Sequence, residues 1–77
     1  MNPELIILRN LDRGNDGIMT LPVLWSEVSL DRGGMTYSEF RKHLTALEMT
    51  GEVVTLANKD RASAKITDKG RLRLMEA

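Results

Sequence analysis

At Gly51 the hydrophobic period of this chain changes, and that change limits what it can fold into. Upstream, Thr36, Tyr37, Ser38 and Glu39 form a capping box. Its threonine hydroxyl and glutamate carboxylate each satisfy a backbone N–H that a helix start leaves without a partner. Tyr37, Phe40, Leu44 and Leu47 recur at helical spacing, which puts them on one face and predicts that they bury it. Gly51 suits the left-handed residue just past a helix end. Downstream, Glu52 to Leu56 turns to the β-branched Val53, Val54 and Thr55. Ala57 to Arg61 is polar and turn-like, and a second run from Ala62 to Thr67 can return beside the first. The pattern predicts a helix followed by a hairpin with a loop of several residues, and so an α+β chain.

The first half supplies two more helices. Asn2, Pro3 and Glu4 read as an N-cap, a proline at the first helical position and an acid in the first turn, with Leu5, Ile7, Leu8 and Leu11 following. That helix is expected to stop near Arg13, before the turn formers Gly14, Asn15, Asp16 and Gly17, after which Ile18 and Met19 form a brief extended piece. Thr20 offers a capping hydroxyl to a second helix. Leu21, Leu24, Trp25 and Val28 give that helix its period, and Asp31, Arg32, Gly33 and Gly34 end it. Thr67 and Asp68 begin a short closing helix in which Leu72 and Leu74 or Met75 are available to pack inward. Gly70 weakens that helix by about 1 kcal/mol relative to alanine. The predicted core is Leu8, Leu11, Leu24, Val28, Phe40, Leu44, Leu47, Val54 and Ile66, with Trp25 at its margin.

Seventy-seven residues suffice for one domain, residues 1–77, and not for two. The absence of cysteine removes disulfides, cysteine-rich zinc sites and thiol nucleophiles, and suits a reducing cytoplasm. No apolar run exceeds Leu5 to Leu8, so neither a signal peptide nor a membrane span is read. His43 is the single histidine and sits near the buried edge of its helix. Glu39 and Glu48 beside it are accounted for as a cap partner and a helix-surface charge, so no metal constellation is read. The acids are scattered, and Ser26, Ser29, Ser38 and Ser63 have no base that the sequence positions. Gly33 and Gly34 lack the spacing of a phosphate-binding loop. The reading is therefore not an enzyme, with no cofactor and no small-molecule substrate.

The segment MTYSEFRKHLTALEMTGEVV resembles the recognition helix and first wing strand of many bacterial and archaeal regulators. ITDKGRLRL resembles the stretch after the wing in PadR-like and MarR-like regulators. Over roughly residues 5 to 75 the chain is thus similar to the winged helix-turn-helix superfamily. The resemblance implies a three-helix core, a two-stranded β-hairpin wing and a short C-terminal helix. It also implies sequence-specific binding of double-stranded DNA by a small transcriptional regulator, with helix 36–50 in the major groove and wing 52–67 on the flanking backbone.

Helical geometry adds detail to that expectation. With Phe40 and Leu44 inward, Ser38, Lys42, Thr45 and Met49 point outward and Arg41 lies at the flank. Arg41 and Lys42 can donate to guanine edges or phosphates, and Ser38 and Thr45 to bases or backbone. Lys59 and Arg61 at the hairpin tip, with Lys65 on the returning strand, can meet phosphate or enter the minor groove. The plainer reading of both sets is a solvated surface. Net charge is zero, which argues against a strongly electropositive binder, yet residues 1–31 are net negative and the remainder equally positive. A winged helix that binds protein and not DNA is the alternative. Either function suits a homodimer or a protein partner, with Leu5, Ile6 and Met75 as the expected exposed apolar residues.

Overall fold

A computed structural model of the chain describes residues 2–31, 35–58 and 61–76. The order is α1 Pro3–Asp12, β1 Ile18–Thr20, α2 Leu21–Leu30, α3 Tyr37–Met49, β2 Val53–Asn58, β3 Arg61–Ile66 and α4 Asp68–Glu76. Arg32, Gly33, Gly34 and Lys59 lie outside the described residues. No described helix is long and apolar enough to cross a membrane.

Local signals set most of the helix ends. Asn2 Oδ1 accepts from the Glu4 N–H at 2.9 Å, which caps α1. At α3 the Glu39 N–H donates to Thr36 Oγ1 at 3.1 Å and the Thr36 N–H donates to Glu39 Oε1 at 3.0 Å, the reciprocal pair of a capping box. The Thr36 backbone N–H, then its hydroxyl, holds the Glu39 carboxyl below its ordinary range. Gly51 ends α3 with φ +81, its N–H bonded to Glu48 O, while the Glu52 N–H reaches Leu47 O at 2.9 Å. This doubly bonded reversal is a Schellman motif. Thr20 departs from expectation and makes no side-chain cap bond. It is the last residue of β1 and pairs with Ser63, so its side chain stands on a face of the sheet.

The sheet has three antiparallel strands in the order β1-β3-β2, one more than the expected hairpin, because Ile18 to Thr20 pair with Lys65 to Ser63. The hairpin itself is longer than its sequence suggests. β2 and β3 stay paired as far as Asn58 and Arg61, so most of the run read as loop is strand. The predicted inward valine is also the wrong one. Val53, opposite Ile66, is buried, whereas Val54, opposite Lys65, is 45% exposed. Side chains alternate between sheet faces, so a displacement of one residue moves a side chain from core to solvent.

The rest of the predicted core is buried, joined by Ile6, Ile7, Val53 and Ala64. α1 packs against α2, α3, α4 and β3, which explains why its apolar side is wider than one stripe. Ile6 is therefore buried and Leu5 packs on the core, contrary to their expected exposure, while Met75 is exposed. Tyr37 is half exposed despite its place on the apolar stripe of α3, because it begins the helix and covers Trp25 edge-on at 5.3 Å. On α4, Leu74 turns inward and Leu72 outward.

One buried acid ties three segments together. Glu52 receives the Thr50 hydroxyl at 2.6 Å and the Arg73 guanidinium at 2.8 Å, and the same Arg73 nitrogen reaches Glu4 at 2.7 Å. The end of α3 is thereby joined to α1 and α4. Burial pushes the Glu52 carboxyl up, but the bonds from Thr50 and Arg73, with the charges of Arg73 and Lys69, outweigh it, and the net direction is down. A carboxyl depressed by folding binds its proton more weakly than the unfolded chain does. Its stabilisation is full above the unfolded value of about 4.3 and is lost as pH falls through the lower folded value. Thermal unfolding of Glu52→Gln, followed from about pH 6 to pH 3, should therefore show a smaller acid-induced drop in Tm than the parent chain. Equal drops in the two proteins would remove Glu52 as the source.

Candidate functional site

The outward side of α3 carries Ser38, Arg41, Lys42 and Thr45, all exposed, as their helical phase predicts. Among the described residues neither Arg41 nor Lys42 forms a salt bridge, whereas Arg9, Arg71 and Arg73 are each engaged with acids on other elements. The distinction matters because a cation already neutralised within the protein has less to offer an external anion.

Beside this face a groove separates α3 from the hairpin. Arg41, Thr45 and Glu48 line its helical wall, and Thr55, Ala57 and Ala62 line its strand wall. The strand wall follows from alternation: Val53, Thr55 and Ala57 share one side of β2, and Ala62, Ala64 and Ile66 share the corresponding side of β3, toward the helices.

Alternation also separates the strand cations from that groove. Arg61 and Lys65 stand on the opposite face of β3 from Ala62 and Ala64. Arg61 lies at the far end of the hairpin, where it lines a hollow with Thr20, Pro22 and Val23 at the start of α2. Lys65 is four residues further along, roughly 13 Å by strand rise, beside Val54, Asp68 and Arg71. The fold thus gathers Ser38, Arg41, Lys42 and Thr45 on one surface, puts Arg61 at the hairpin end and leaves Lys65 apart. Lys59 lies outside the described residues.

Glu48, read from the sequence only as a helix-surface charge, belongs to this surface as well. The Thr55 hydroxyl donates to its Oε2 at 2.6 Å, so the carboxylate bridges helix and strand at the groove wall. The signal was its spacing, seven residues after Arg41 and three after Thr45, which places it on their side of the helix. His43 faces the other way, its Nδ1 4.0 Å from Glu4 of α1. In chemical terms the site offers two cations that form no salt bridge among the described residues and two hydroxyls on one helix, with Glu48 at one edge and Glu39, within reach of the Lys42 charge, at the other. Comparison of the chain with protein-family models, curated proteins and solved structures gave no match.

Proposed function

We propose that this chain is a winged helix-turn-helix domain that binds double-stranded DNA sequence-specifically, as a small transcriptional regulator. In this reading α2 and α3 are the helix-turn-helix pair, α3 enters the major groove, and the β2–β3 hairpin is the wing on the flanking backbone. The observation that carries the reading is the exposed surface of α3, where Arg41 and Lys42 form no salt bridge among the described residues and stand among the hydroxyls of Ser38 and Thr45. Such a surface can donate to guanine O6 and N7 and to phosphate oxygens. A lone module of this kind buries only about 600–1,000 Å² on DNA, so useful specificity calls for a homodimer or a partner subunit. Zero net charge and the carboxylate of Glu48 beside the same surface favour the second reading, a winged helix that binds protein.

A titration against random and selected duplexes at about 50 and 200 mM salt separates the two readings. Binding that weakens steeply with salt supports DNA, and absence of binding at the lower salt supports the protein adaptor. Arg41→Ala should cost about 1–3 kcal/mol on a preferred sequence and much less on random DNA, as loss of a base contact does. Arg61→Ala should weaken all sequences alike and reduce the salt slope by about one unit. If Arg41→Ala and Lys42→Ala both leave affinity and salt slope unchanged, α3 is not the DNA-contacting element.

A further inference from the structure

Resting on the DNA reading above, we infer that Glu48 is a built-in brake on the phosphate affinity of the α3 surface. The groove it lines lies between the helix assigned to the major groove and the hairpin assigned to the backbone. A sugar-phosphate strand running from one to the other crosses that groove. Glu48 lies there without a cation: among the described residues its carboxylate makes no salt bridge, although Arg41 is on the same wall.

An ordinary surface glutamate would rotate away from an approaching phosphate. This one is held by the 2.6 Å bond from Thr55, so its charge is fixed at the groove instead of averaged over solvent. Two like unit charges about 6 Å apart in water repel by roughly the thermal energy, and by more where the duplex excludes water. The corresponding loss of affinity is about three- to tenfold, is the same for every sequence, and fades as salt screens it. A zero-charge domain with such a brake binds random DNA weakly and depends on base contacts or pairing for useful affinity.

The test measures affinity for a random-sequence duplex at about 50 and 200 mM salt. It compares the parent chain with Glu48→Gln, Thr55→Val and Glu27→Gln, each checked for folding by its melting curve. Glu27 is an exposed acid beside Arg9 and Arg13, on the α1–α2 side of the molecule, so its replacement makes the same change in net charge away from the groove. Glu48→Gln should bind about three- to tenfold more tightly at the lower salt, with most of the gain gone at the higher. Thr55→Val should gain part of that by releasing the carboxylate, and Glu27→Gln should change affinity less than about twofold. Unchanged or weaker binding by Glu48→Gln, or an equal gain from Glu27→Gln, overturns the brake while leaving the DNA reading intact. No binding by either the parent or Glu48→Gln at the lower salt overturns both. Binding of the random duplex by Glu48→Gln alone supports the brake, and the DNA reading is then decided by whether the parent chain binds a selected duplex.

Discussion

Replacing Phe40 with alanine should lower the free energy of unfolding by about 3–5 kcal/mol. A chain of 77 residues at roughly 0.05–0.15 kcal/mol per residue has only about 4–12 kcal/mol in total, so this one change threatens the fold. The reason lies in where the aromatic residues are. The chain has one tryptophan, one tyrosine and one phenylalanine, and all three meet between α2 and α3. Phe40 is fully buried, with its ring 5.3 Å from Trp25 and 5.9 Å from Tyr37. Removing it opens a cavity under Trp25 and ends two ring contacts, each worth about 0.5–1.5 kcal/mol beyond buried area. Since α2 and α3 are the proposed helix-turn-helix, the same substitution should abolish DNA binding through unfolding. Urea unfolding followed by Trp25 fluorescence reads the effect, and a loss below about 1 kcal/mol would contradict the packing described here.

The second large effect is expected from a single added methyl group. Gly70→Ala should destabilise the domain by about 1–3 kcal/mol, although glycine to alanine in an exposed helix stabilises by about 1 kcal/mol. A Cβ at residue 70 would lie 2.5 Å from the Glu52 carbonyl oxygen, 2.7 Å from Ile66 Cγ1 and 3.1 Å from Leu8 Cδ2. The carbonyl is the decisive contact, because it belongs to backbone and itself accepts the Thr67 N–H at 3.0 Å. Relief requires α4 to lift from α1 and from the α3–β2 junction, straining the Arg73 bonds to Glu4 and Glu52. A thermal midpoint for Gly70→Ala at or above that of the parent chain would contradict this close approach.

The difference between helix propensity and close packing at Gly70 shows what the sequence made legible. Signals contained within a few residues were readable: the Thr36–Glu39 box, the Gly51 reversal, the Asn2 cap and the phase of Ser38, Lys42 and Thr45 on α3. Each is a chemical arrangement along the chain and needs no distant partner. Features set by a partner far along the chain were not readable. Val53 and Val54 are the same residue type side by side, and only pairing with Ile66 and Lys65 decides which is buried. The place of β1 beside β3 is likewise a long-range choice. Ile6 looked surplus to one helical stripe until α1 proved to be covered on several sides. Gly70 looked like a weak helix residue because its neighbours come from Leu8, Glu52 and Ile66. In the candidate site, α3 supplied its residues locally and legibly, whereas the link from Glu48 to Thr55 and the separation of Lys65 depend on strand alternation and register.

The strand at the middle of the sheet is the last of the three to be synthesised. As the chain leaves the ribosome, β1 and then β2 emerge with backbone donors and acceptors that have no sheet partner until residues 61–66 follow. α1, α2 and α3 can associate before then, since all three precede β2. Sheet closure and the docking of α4 come together at the end, because Thr67 bonds Gly51 and Arg73 bonds Glu4 and Glu52 just beyond β3. Until residues 61–66 join them, β1 and β2 are open strands, the form in which edge-to-edge pairing with another chain is easiest.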